Sequence, residues 1–88
     1  MANIASQEKR IHRAERERIE NRRRTSQVKT WIRRLEAAVE DGDAARADEE
    51  LRELVSRVDR AVKSGALHRN AGARRKARAA RIRARISG

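Results

Sequence analysis

Apolar residues recur at every third or fourth position through the middle of this chain, in two matched blocks. Val28, Trp31, Ile32, Leu35, Ala38 and Val39 form one stripe, and Ala44, Ala47, Leu51, Leu54, Val55, Val58, Ala61 and Val62 form the next. That spacing follows the 3.6-residue period of a helix with one buried face and not the two-residue period of a strand. Between the blocks, Asp41-Gly42-Asp43 reads as a turn, with Gly42 past the end of one helix and Asp43 capping the next. So short a link makes the two helices antiparallel neighbours, a hairpin. Upstream, a helix can start between Asn3 and Ser6, either serving as N-cap, but its first half offers only Ile11, Ala14 and Ile19 among charged residues. A single helix of about 35 residues would be roughly 50 Å long, more than its apolar stripe covers, so its N-terminal half is predicted to project.

Downstream, Gly65 stops the second helix and Asn70 is the candidate N-cap of a third. In that helix Ala73, Ala77, Ala80 and Ala84 form a small-residue stripe able to pack on the hairpin, with Leu67 plugging the bundle just before it. Gly72, in its first turn, is expected to weaken it by roughly 0.5–1 kcal/mol relative to Ala. The predicted fold is all-α: an up-down-up three-helix bundle, one domain over residues 1–88, with helices at about 5–40, 44–64 and 70–86.

Composition adds three things. Proline is absent and Ala, Arg, Glu, Lys and Leu dominate, which favours helix almost throughout. Cysteine is absent too, so no disulfide framework and no thiolate zinc site can form. No apolar run is long enough to span a bilayer, and the start, Met-Ala-Asn-Ile-Ala-Ser-Gln, lacks the apolar core of a signal peptide, so a cytosolic protein is expected. The large apolar residues concentrate between Val28 and Leu67, which leaves both ends little to fold around and calls for a partner to complete the structure.

Charge says what kind of partner. The net charge of +11 is unevenly spread: residues 1–35 hold 11 Lys/Arg and 4 acids, residues 36–59 hold 3 and 9, and residues 60–88 hold 10 and none. Ten cations without an acid imply a polyanion. The acids Glu40, Asp41, Asp43, Asp48, Glu49, Glu50 and Glu53 are placed on the hairpin's tip and outer face, directed away from it. Part of the first helix balances its own charge through pairs such as Glu20 with Arg23 and Arg24, although the run Arg22-Arg23-Arg24 spreads around the helix.

Catalytic materials are missing. His12 and His68 fall on different predicted elements with no Cys or Tyr beside them, no HExxH arrangement occurs, and no enzyme is expected. His12 reads as surface, while His68 either donates to a phosphate or caps a turn. Base stacking needs aromatic platforms, and the one aromatic residue, Trp31, sits in the apolar stripe and is assigned to the core. What is left is a helical frame carrying Arg and Lys, suited to the phosphates of a folded nucleic acid recognised by shape. The candidate contacts are Lys9, Arg10, Arg13, Arg16, Arg22, Arg23, Arg24 and Lys29 on the first helix and Lys63 at the end of the second. His68, Arg69 and Asn70 at the corner, and Arg74, Arg75, Lys76, Arg78 and Arg81 on the third helix, complete the set.

The start Met-Ala-Asn-Ile, the Asp-Gly-Asp turn, and Lys63-Ser-Gly-Ala-Leu-His-Arg-Asn70 followed by Ala73-Arg-Arg-Lys76 together resemble the bacterial ribosomal protein S20 family. The element His-Arg-Asn-x-x-Ala-Arg-Arg-Lys is similar to that family's His-Lys-Asn-x-x-Ala-Arg-Lys-Lys, and the likeness extends to length, helix order and charge layout. Ala5, Glu20 and Ala71-Gly72 depart from the family's usual residues. The resemblance implies a three-helix protein that binds 16S rRNA in the body of the 30S ribosomal subunit, its long first helix laid along RNA. A cytoplasmic, ribosome-bound protein follows, with no cofactor, membrane, small-molecule substrate or homo-oligomer expected. The alternative from the residues alone is a helical DNA-architectural or protein-interaction module; such DNA binders carry apolar wedges at exposed tips, and none stands at the turns here.

Overall fold

Three helices follow one another in the computed structural model, which describes residues 3–86: α1 (Asn3–Glu40), α2 (Ala44–Lys63) and α3 (Arg69–Arg83). No strand occurs among the described residues. α1 is already under way at Asn3, whose side chain lies outside what the structure describes, as do residues 1 and 2.

Both turns form as their glycines dictate. Gly42 takes φ +69°, and the backbone N–H of Asp43 donates to the carbonyl of Ala38, closing the end of α1. Asp43 then caps α2, its Oδ1 accepting from the N–H of Arg46 at 3.0 Å. At the other end of α2, Gly65 takes φ +82° and the N–H of Leu67 donates to the carbonyl of Ala61. Cross-helix contacts give the directions. Gln27 meets Arg57 and Arg34 meets Glu50, so α1 and α2 are antiparallel; Asp48 meets Arg83 and Asp59 meets Lys76, so α2 and α3 are antiparallel too. The bundle is up-down-up.

Its core is Val28, Ile32, Leu35 and Ala38 of α1, Ala47, Leu54, Val58 and Ala61 of α2, and Ala79 and Ile82 of α3, with Val39, Leu51, Val62, Leu67 and Ile86 packed around it. Every residue from Ile4 to Glu20 is exposed, including Ile4, Ile11 and Ile19, and this overhang stretches the molecule to 66 Å in its longest dimension.

Three expectations are corrected. The stripe Ala73, Ala77, Ala80 and Ala84 faces solvent; α3 buries Gly72, Ala79 and Ile82 instead. Ile82 is the one large apolar residue of α3, and its burial rotates the helix so that the alanines point away. The acids of α2 are not a free outer face either: Glu50 is buried, its Oε1 accepting from Arg34 at 3.3 Å, while Asp48 binds Arg83 and Glu53 binds Arg57. Trp31 lies at the edge of the core, half-buried, with the guanidinium carbons of Arg34 and Arg57 at 4.1 and 5.3 Å from its ring centre.

Candidate nucleic-acid interface

The corner between α2 and α3 is built on His68 rather than Asn70. His68 has extended backbone angles (φ −67°, ψ 147°), and its Nδ1 accepts from the N–H of Asn70 at 3.1 Å. Helix α3 therefore starts at Arg69, and Asn70 is inside its first turn. With Nδ1 an acceptor, a neutral imidazole carries its proton on Nε2, which is left to donate outward. His68, Arg69 and Asn70 are all exposed at the positive end of the α3 dipole.

Two basic grooves flank α1. One runs between α1 and α3 and is lined by Lys29, Ile32, Arg33, Glu36, Arg75 and Arg78. It continues through Arg75 and Arg78 onto a hollow formed by Ala71, Arg74 and Arg81. Six cations meet there with one acid, Glu36, whose carboxylate is 3.7 Å from Arg78. The other groove runs between α1 and α2, lined by Glu20, Arg23, Arg24, Gln27, Arg57 and Arg60, and extends through Arg24 and Arg60 to Lys63 and Ser64. At about 100° per residue, positions 20, 23, 24 and 27 fall on the opposite flank of α1 from positions 29, 32, 33 and 36.

The structure thus brings together Lys29, Arg74, Arg75, Arg78 and Arg81 in the first groove, and Arg23, Arg24 and Lys63 in the second. Lys76 does not join its neighbours in sequence: it turns to α2 and binds Asp59 at 2.9 Å. Arg22 is exposed beside the bundle without lining either groove. Lys9, Arg10, Arg13 and Arg16 lie on the overhang, where five cations face four acids across residues 3–20; residues 21–34 hold six cations and no acid. The surplus charge of α1 is therefore beside the bundle and not on its free end.

Arg33, Arg57 and Arg60 are the groove residues that sequence reasoning missed. A signal for two of them exists in the turn. A hairpin centred on Gly42 sets residue i of α1 across from residue 84 − i of α2, as Gln27 with Arg57 and Arg34 with Glu50 show, and the same relation places Arg60 across from Arg24.

A short ion pair clasps α2 to α3. Arg83 Nε donates to Asp48 Oδ1 at 2.5 Å, a bond that holds the Asp48 carboxyl below its ordinary value and raises Arg83 above its own, against the opposing effect of desolvation. Among the described residues, no group of three or more His, Cys, Asp or Glu could hold a metal ion, and no helix is long and apolar enough to cross a membrane.

Comparison with known proteins converges on one family. The family model described as ribosomal protein S20 matches residues 2–83. The chain is 45% identical to the small ribosomal subunit protein bS20 of Acaryochloris marina, over 93% of this chain and 95% of that one. It is 46% identical to the bS20 protein of Kocuria rhizophila over 86% and 88%, and 41% identical to that of Frankia casuarinae over 99% and 98%.

Proposed function

Because this chain belongs to the ribosomal protein S20 family, we propose that it is a structural constituent of the small ribosomal subunit that binds 16S rRNA directly through the groove between α1 and α3. A ribosomal structural protein is not an enzyme, and its place in the cytoplasm is that of the ribosome.

The observation that carries the RNA-binding reading is the convergence of Lys29, Arg33, Arg74, Arg75, Arg78 and Arg81 on one concave face of a helical frame. Guanidinium groups present planar forks that match phosphate oxygens, and a frame of packed helices fixes their spacing before the ligand arrives. RNA duplexes hide their base edges in a deep, narrow major groove, so a protein that reads spacing and charge selects folded RNA by shape. The exposed alanines of α3 leave room for a backbone to approach the arginines beside them. His68 Nε2, Arg69 and the first-turn N–H groups of α3 extend this surface at the corner.

Neutralising Arg74, Arg75 and Arg78 to Gln tests the reading, since Gln preserves helix propensity and removes only charge. Affinity for 16S rRNA should fall at least tenfold, and the slope of log affinity against log salt should flatten by roughly 0.7–0.9 for each phosphate that is no longer neutralised. Undiminished affinity with an unaltered slope would show these cations to be a solvated face. Co-sedimentation with 30S particles after a high-salt wash checks the assignment in the assembled subunit.

A further inference from the structure

We infer that the groove between α1 and α2 is a second phosphate-binding site, organised around Arg57, whose guanidinium is set in place before any ligand arrives. The inference rests on the RNA-binding reading and deepens it.

Arg57 is held from three sides. Its Nε donates to Glu53 Oε1 at 3.0 Å, its Nη1 donates to Gln27 Oε1 at 3.1 Å, and its guanidinium lies 5.3 Å from the centre of the Trp31 ring. An arginine has about five N–H donors, and these two bonds leave the others for a ligand. The side chain is three-quarters buried, at 25% exposure, so little rotamer entropy is left to lose on binding. Around it stand Arg23, Arg24 and Arg60, then Lys63. The one acid that lines the groove, Glu20, is engaged by Arg24 at 3.8 Å, and Glu53, behind Arg57, is engaged by Arg57 itself.

The row Arg57, Arg60 and Lys63 climbs α2 by about 4.5 Å at each step, with Arg23 and Arg24 across from it, so the groove fits a run of phosphates better than a single one. It has no residue in common with the α1–α3 groove and lies on the other flank of α1, so its occupant is a separate stretch of RNA backbone. Trp31, the only aromatic residue of the chain, touches Arg57 and reports on this groove.

The test uses the full chain and 16S rRNA with three variants. Arg60→Gln removes an exposed cation outside the Glu53–Gln27 network, Arg57→Lys keeps charge and loses the planar fork, and Arg75→Gln/Arg78→Gln disables the other groove. We expect Arg60→Gln to flatten the salt slope by roughly 0.7–0.9 and Arg57→Lys to weaken binding several-fold at unchanged helicity. Both effects should add to those of Arg75→Gln/Arg78→Gln. Trp31 emission should change on binding in the wild type and in Arg75→Gln/Arg78→Gln, and much less in Arg57→Lys. If Arg60→Gln and Arg57→Lys bind like the wild type while Arg75→Gln/Arg78→Gln is impaired, the second site is overturned and the RNA-binding reading stands. If all three bind undiminished, that reading fails as well. Displacement of the RNA from this groove by polyglutamate as readily as by competing RNA overturns the inference in favour of an acidic protein segment.

Discussion

Gly72 is where propensity and packing disagree. As a helix former it is inferior to Ala by roughly 0.5–1 kcal/mol, yet a Cβ added there would collide with the Cγ2 methyl of Val62 and come within 3.5 Å of Val58 Cγ1. Val62 is β-branched and stiff at χ1, so it cannot swing away, and α2 and α3 would have to separate. Gly72→Ala is therefore predicted to destabilise the protein by about 1–2 kcal/mol net, overpacking outweighing the propensity gain. Adding Val62→Ala should relieve the collision, so the cost of Gly72→Ala measured by urea unfolding should vanish or change sign in that background.

Arg34 and Glu50 pose a different problem at the same scale. The carboxylate is buried with its Oε2 unpartnered, and Arg34, half-exposed, supplies its one bond at 3.3 Å. Removing the cation in Arg34→Ala leaves a buried charge with nothing to offset it, an expected loss of about 1–3 kcal/mol. Glu50→Leu removes the charge instead and should be neutral or stabilising. Denaturant midpoints of the two variants should thus move apart.

Among elements, α3 is the one whose attachment depends on charge. It brings Gly72, Ala79 and Ile82 to the core and is otherwise tied down by Asp48–Arg83, Asp59–Lys76 and Glu36–Arg78, all at least partly exposed. The folded Asp48 sits below its ordinary value of 3.8, chiefly through its bond from Arg83. A carboxylate depressed in the folded state contributes stability above its unfolded value, and that contribution is lost as pH falls through the folded one. Asp48→Asn should therefore lower the melting temperature at neutral pH, and the difference from wild type should shrink steadily once the pH drops below 3.8. A gap that stays constant down to strongly acid solution would mean that the carboxylate's charge plays no part in the clasp.

Over the whole molecule, apolar burial and the surplus charge of α1 both gather at the bundle and leave the overhang with little of either. α1 covers its core with residues 28–39 and leaves Ile4 to Glu20 exposed along its free end. An unsupported helix of that length is marginal in water. Amide exchange on the free protein should show weak protection over residues 4–20 and strong protection through the hairpin. The buried Ile82 extends that protected region into α3, which a core confined to the hairpin would have left to fray. Even protection from Ile4 onward would refute this. RNA should slow exchange in the overhang without a large electrostatic contribution, since five cations there face four acids.

The helices, their order and both turns were legible in the sequence because each depends on local chemistry. A 3.6-residue apolar period, a glycine where the backbone must turn left-handed and an Asp able to cap at position 43 act within one or two turns of chain. The positive surplus of the two ends was legible for the same reason, as a plain sum over residues. Tertiary structure alone decided which side of α3 is buried, because four alanines and one isoleucine offered rival faces and only contact with Val58 and Val62 selects the face carrying Gly72 and Ile82. It also decided which cations are committed to acids and which are open to a ligand. Lys76 and Arg75 are neighbours in sequence, yet about 100° of helix rotation sends one to Asp59 and the other into a groove beside Lys29 and Arg33. A side chain's partner is fixed by the rotation and register of packed helices, and those follow from the summed fit of many contacts, which no single stretch of sequence contains.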